Sequence, residues 1–255
     1  MLNLISHIRN EELLLPYWIA HHRPMFDSVT IIDYASTDSS LDIIRTLAPE
    51  WRILRSQNVN FDANNADFEV MQIEYYLSGW KIALNTTEYV ICSNLCQLII
   101  NAENAGFHGI IGEASFILHD KLRLGFSKIK NEPPILEQFN YGWQEDPSKS
   151  YRRRLLHRWP TGSYNVGRHS WMRGPTANSS DLLYASLAYA PWDEAMINRK
   201  IAIGSQVSEH DRKIGLGHHH HLSAKELEDS FQKALEQTVD LRDNKYWQQI
   251  VLAKQ

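Results

Sequence analysis

The chain has 255 residues, 43% of them hydrophobic and 22% charged, with a formal net charge of −4. That length suffices for one α/β core, and a slightly acidic balance supplies no global basic field, so nucleic acid is not expected as a partner. No apolar run reaches membrane-spanning length, and Met1 leads straight into a strand-like segment interrupted by Asn3, His7 and Arg9. The expectation is a cytoplasmic protein with neither transmembrane segment nor secretory leader. If the two cysteines, Cys92 and Cys96, share one strand, their Cα atoms lie roughly 13 Å apart, too far for a disulfide, so reduced thiols are expected.

In chain order, an apolar strand ends at Arg9-Asn10-Glu11 and leads into Leu15-Pro16-Tyr17-Trp18-Ile19-Ala20-His21-His22. Helical spacing puts Trp18 on one face with His21 and His22, an arrangement suited to the core. Val29 to Asp33 is a β-branched strand, and Ser36-Thr37-Asp38-Ser39-Ser40 supplies the hydroxyls and carboxylate of a loop and helix N-cap before the helix Leu41–Leu47. A βαβ unit of this kind sets Arg9 and Asp33 on one rim, because open α/β sheets bind ligands outside the carboxyl ends of parallel strands. Arg9, Asn10 and Glu11 also suit cap and loop positions, with Glu11 favourable at a helix N-terminus.

Further on, Trp51 to Ser56 reads as a strand and Asn58 to Asp67 as a polar loop able to close over a ligand. Phe68 to Leu84 reads as one helix with apolar residues round most of its circumference, as for burial against a sheet. Glu88 to Ser93, Ser115 to Leu118 and Leu155 to His157 read as strands, and Ile135 to Phe139 as a short helix carrying Glu137. Tyr141, Trp143 and Trp159 fall in expected loops. Ser223 to Gln255 reads as a charged amphipathic helix pair forming a packing or oligomer surface. The expected fold is α/β, a mixed twisted sheet flanked by helices over residues 1–204, with 205–255 a helical extension packed on the same domain.

Asn10-Glu11, Leu15-Pro16 with Trp18 and His21-His22, and then Asp33 with Ser36-Thr37-Asp38, together resemble the start of family 2-like glycosyltransferases, with echoes from about Leu4 to Gly204. The resemblance implies a GT-A, Rossmann-like fold that binds a nucleotide sugar. It also implies a donor site containing Arg9, Asn10, Glu11, Asp33, Ser36 and Asp38, with Asp33 hydrogen-bonding the base or ribose.

The chain departs from the family where the Asp-x-Asp-Glu metal motif would follow the strand that begins at Glu88. Asn94-Leu95-Cys96-Gln97 stands there, so amide oxygens and a thiol replace hard anionic ligands, and Mg²⁺ or Mn²⁺ should bind poorly. No resident cofactor is expected. The family's carboxyl-terminal histidine ligand aligns either with Ala188, before Tyr189-Ala-Pro-Trp-Asp193 and Asn198-Arg-Lys200, or within His218 to His221. That histidine run reads either as loop residues or as a metal site joined by His157 or His169.

Without a metal, the leaving diphosphate needs other cations, and arginine forks suit phosphate oxygens. Arg152, Arg153, Arg154, Arg158 and Arg168 are the candidates, the first three also reading as a solvated strand start. Asn94 and Cys96 complete the expected donor side. Transfer to an acceptor hydroxyl with inversion needs a general base, for which Asp120, beside His119, and Glu137 are the candidates. The expected function is a glycosyltransferase using a nucleotide sugar, a UDP sugar by analogy, on a glycan or lipid-linked acceptor with weak or no metal dependence. The alternative is a degenerate member that binds nucleotide, glycan or a protein partner. A nucleotidyltransferase fits less well, because no Gly-rich phosphate loop followed by Lys stands near the amino terminus.

Overall fold

The computed structural model describes residues 1–58, 60–131, 134–146, 153–216 and 221–251. The amino-terminal half alternates strand and helix as β1 (Leu2–Ile8), α1 (Leu15–His22), β2 (Ser28–Asp33), α2 (Ser40–Leu47), β3 (Arg52–Arg55), α3 (Ala63–Tyr76) and β4 (Trp80–Ala83). Pro16 sits in the first turn of α1, where a missing N–H leaves no hydrogen bond unmade. The side chain of Asp62 caps α3 by accepting from Asn65 N at 3.0 Å.

Then follow β5 (Glu88–Ile91), α4 (Leu95–Asn104), β6 (Gly109–His119), α5 (Ile135–Gln138), β7 (Tyr141–Gln144), β8 (Leu155–His157) and β9 (Ala177–Tyr189). The chain continues through α6 (Glu194–Gln206), α7 (Glu209–Lys213), α8 (Ala224–Leu235), β10 (Val239–Asp240) and α9 (Lys245–Val251).

Among the described residues the sheet runs β3-β2-β1-β4-β8-β6-β7-β10, with β9 parallel to β6 and antiparallel to β5. Strands β1 to β4 are mutually parallel, whereas β8 is antiparallel to both β4 and β6. The fold is therefore the expected mixed α/β sheet with helices on its faces. One large apolar cluster joins α1, α2, α4 and α8 to the sheet, and a smaller one under α3 gathers Ile5, Ile32, Val70, Ala83 and Tyr164.

The expected helix from Phe68 to Leu84 is instead a helix, a turn and a strand. Tyr75 and Tyr76 end α3 well exposed, Tyr76 at 84%. Gly79 then turns the chain with φ +82°, and a Cβ there would lie 2.3 Å from the Met1 carbonyl oxygen. That glycine lets the chain pass beside the start of β1, and Trp80 to Ala83 enter the sheet buried between β1 and β8. The polar stretch expected as a loop likewise yields its second half to α3.

The tail carries a strand as well as helices. Ser223 opens α8 with a reciprocal capping box to Glu226. Phe231 then stacks on Trp192 and His119, with ring centroids at 4.6 and 4.1 Å. β10 extends the sheet beyond β7, so Tyr141 and Trp143, expected in loops, are strand residues. Trp18 is fully buried, its indole donating to Glu88 O at 3.0 Å, and His22 is buried beside it, as their spacing implied.

Candidate functional site

The chain builds β1, β2 and β3 outward in one direction and then places β4 on the other flank of β1. Strand order therefore reverses between β1 and β4, and the crevice outside their carboxyl ends is where an open α/β sheet receives a ligand. Two groups of residues line this edge.

The first is a rim made by the turns after β1 and β2. Ser36 N donates to Asp33 Oδ1 at 3.0 Å, Thr37 N to Asn10 Oδ1 at 2.7 Å, and Asn10 N to Ser36 Oγ at 3.1 Å. Glu11 N donates to Ser40 Oγ at 2.8 Å and Glu12 N to Asp38 Oδ2 at 3.0 Å. Asn10 and Ala35 hold left-handed backbone, at φ 53° and 56°, side by side at the strand ends. Such conformations persist where the surrounding structure fixes them, and they cluster at ligand sites. Asp33 is buried at 6% exposure with Arg9 on the neighbouring strand end. Glu11 faces elsewhere: its carboxylate takes both Arg199 Nε and Nη2, at 2.9 and 2.6 Å, and ties α6 to the rim.

The second group is a charged floor under the reversal. Arg168, at φ 58°, lies across it: its guanidinium pairs with Asp67 of α3, donates to Asn85 Oδ1 beyond β4 at 3.0 Å, and approaches His7 Nδ1 at 3.4 Å. Beside it Arg154 forks onto Glu88, with Nε to Oε2 at 2.9 Å, and gives Nη1 to Gly167 O at 2.7 Å. Burial, the largest single influence, would raise the Glu88 carboxyl pKa, but Arg154, His169 and the Asn85 N–H together hold the group below its ordinary value. Burial, reinforced by Arg168 and Arg154, drives the His7 imidazole well below its ordinary pKa, so it stays neutral. The loop carrying Arg168 is seated on α3 by buried Glu74, which accepts from Gly162 N at 2.7 Å and from Tyr164 Oη at 2.6 Å.

An aromatic wall joins rim to floor. His7 meets Tyr34 edge-on at 5.9 Å and Phe61 at 5.7 Å. The Tyr34 hydroxyl donates to Glu69 at 2.8 Å, and burial with that carboxylate raises its pKa. Phe61 N donates to Gln206 O and Ser208 N to Phe61 O, so the end of α6 also reaches this edge.

Several expected site residues take other places. Asn94 caps α4, its Oδ1 accepting from Gln97 N at 2.9 Å, and Cys96 is exposed in the next turn. With one amide oxygen engaged and no carboxylate in the segment, this donor set does not fit Mg²⁺ or Mn²⁺. Asp120 is 1% exposed, and both its oxygens accept backbone N–H groups, from Leu124, Gly125 and Trp192. That engagement ties the turn after β6 to the segment before α6. Glu137 sits on α5 before β7, with three strands between β7 and β1 in the sheet order, and Asp120 follows β6, with two strands between β6 and β1.

Arg154 and Arg168 do reach the edge, but as partners of buried carboxylates. Arg158 is exposed and pairs with Glu103. Arg152 and His218 to His220 lie outside the described residues, and His221 is exposed. The sequence reading missed His7, Asp67, Asn85, Glu88 and Arg199. Of these, His7 alone interrupts an apolar strand; Asp67, Asn85, Glu88 and Arg199 stand beside other polar residues, and none of the five names its partner.

No protein-family model matches the sequence, and no curated protein matches it. The resemblance to glycosyltransferases thus rests on the amino-terminal motifs. Among solved structures, the chain is similar to S. aureus TarS 1-349, with a TM-score of 0.44 and 10% identity over 80% of this chain and 64% of that one. It is also similar to glucosyl-3-phosphoglycerate synthase from Mycobacterium tuberculosis, with a TM-score of 0.32 and 15% identity over 46% and 44% of the two chains. For core-mannan synthase A from Aspergillus fumigatus the TM-score is 0.30 at 11% identity, over 49% and 44%. The chain spans less than two thirds of the length of each.

Proposed function

We propose that the crevice between β1 and β4 holds the nucleotide part of a nucleotide-sugar donor, a UDP sugar by analogy, and that the protein is a glycosyltransferase acting on a glycan or lipid-linked hydroxyl. The observation that carries this reading is the reversal of strand order at β1, where the Asp33, Ser36 and Asn10 motif closes the rim. Asp33 faces the base and ribose, and the half-buried rings of His7 and Phe61, backed by buried Tyr34, offer ring surface. In the reaction the acceptor oxygen bonds to the anomeric carbon with inversion, the bond to the diphosphate breaks, and the hydroxyl proton passes to a base.

The charged floor favours a second reading. Arg154 and Arg168 are committed to Glu88 and Asp67, and Asn94 is a helix cap, so neither arginine turns to a leaving diphosphate without exchanging an internal pair. A degenerate protein that binds nucleotide or glycan without transfer fits that commitment.

Calorimetric titration of UDP and UDP sugars, with Mn²⁺ and then with EDTA, tests the first reading. The expected result is micromolar binding indifferent to EDTA, weakened at least tenfold in Asp33→Asn, which keeps the acceptor for Ser36 N. Binding without sugar release in the presence of glycan acceptors selects the second reading, and no binding under either condition removes both the donor and the nucleotide site.

A further inference from the structure

We infer that the loop from Lys121 to Lys130 docks the protein on an anionic phospholipid surface. This assignment is independent of the proposed activity. The segment reads Lys121-Leu-Arg-Leu-Gly-Phe-Ser-Lys-Ile-Lys130, four cations without an acid in a chain whose net charge is −4.

The fold presents these residues in a fixed way. Leu124, Phe126 and Ile129 turn inward onto the main core. Lys121, Leu122, Arg123, Lys128 and Lys130 face solvent, Leu122 at 61%. Two acids hold the loop by its backbone: Asp120 accepts from Leu124 N at 2.7 Å and Gly125 N at 2.8 Å, and Asp193 accepts from Phe126 N at 2.7 Å. Gly125 is required, since its φ is +59° and a Cβ would lie 2.7 Å from Asp193 Oδ2. The buried carboxylate of Asp120 thus has its use here, in shaping the loop.

The nearest acids are engaged, Asp120 and Asp193 with the loop's backbone N–H groups and Glu228 with Arg123. Arg123 pairs with Glu228, while Lys121 lies over the Tyr141 ring at 5.0 Å. Asp240, which Lys121 also feels, is held by Arg242. Among the described residues Lys128 Nζ reaches the Arg123 carbonyl, at 3.5 Å. Among the described residues no carboxylate lies within ion-pair distance of Lys121, Lys128 or Lys130.

An aliphatic side chain exposed between two cations suits a headgroup boundary, where cations meet phosphate and leucine enters the acyl region. Single-stranded nucleic acid would call for exposed rings to stack on bases, and the one ring of this loop, Phe126, packs inward.

Co-sedimentation of the full chain with phosphatidylcholine vesicles, with and without phosphatidylglycerol, tests the assignment. Binding is expected only with phosphatidylglycerol and should weaken in salt. It should fall roughly tenfold or more in K128E/K130E and by a smaller factor in Leu122→Ser. Unchanged thermal midpoints show that these exposed variants fold, and Lys213→Glu, elsewhere on the surface, should bind as the parent does. Absence of binding, equal binding to uncharged vesicles, indifference to the double charge reversal, equal loss in Lys213→Glu, or tighter binding to single-stranded RNA would each overturn the inference.

Discussion

The rim and the floor of the crevice lie within a few residues of each other in space and are held by opposite means. The rim joins neighbouring turns of one βαβ unit through bonds from main-chain N–H groups to small polar side chains, such as Thr37 N to Asn10 and Glu11 N to Ser40. The floor joins elements 66 and 101 residues apart by two buried ion pairs, Arg154 with Glu88 and Arg168 with Asp67. Such short-range stitching at a partly wetted edge costs little to form and little to lose. A buried pair repays its desolvation only while both partners stay in place. The difference shows where the molecule is locally specified and where its packing depends on the whole fold.

Breaking the floor gives the largest expected effect. Arg154→Ala leaves Glu88 buried without its cation and should cost about 3–5 kcal/mol in urea unfolding, while the Arg154→Met, Glu88→Met pair should recover much of that loss. A single-variant cost near that of a surface change would mean that the floor is not a buried ion pair.

Protonation probes the same contrast. The folded chain holds His7, and separately His119, below the ordinary imidazole pKa, chiefly by burial. Unfolded histidines take up protons near pH 6.5 and the folded ones do not. Stability is therefore intact above about pH 6.5 and falls as the pH drops below it, by up to about 1.4 kcal/mol per pH unit for each group. His7→Gln should flatten that slope between about pH 6.5 and 5; an unchanged slope would show that His7 is not kept neutral.

At the rim, Asn10→Ala removes the acceptor for Thr37 N and places alanine in left-handed backbone, an expected loss of about 1–2 kcal/mol. Asn10→Gly removes the acceptor alone and should lose less. If the two variants unfold at the same denaturant concentration, the backbone there carries no strain. As a baseline outside both regions, Arg23→Ala breaks an exposed pair with Glu50 and should change stability by at most about 1 kcal/mol.

The first βαβ unit, the core placement of Trp18 and His22, and the rim were legible in local sequence, because each depends on apolar periodicity and cap chemistry acting over a few residues. Asp33, Ser36 and Asn10 meet because their turns follow adjacent strands. Packing of the whole chain settled that Gly79 ends one element and frees Trp80 to Ala83 as a central strand, since a short apolar run suits a helix or a strand until neighbours on both sides claim its backbone. It alone paired Arg154 with Glu88 and Arg168 with Asp67, and set Asp120 beneath a basic loop as the acceptor of its backbone N–H groups. Charge pairing inside a core depends on which distant elements share a buried volume, and no local spacing in a chain encodes that.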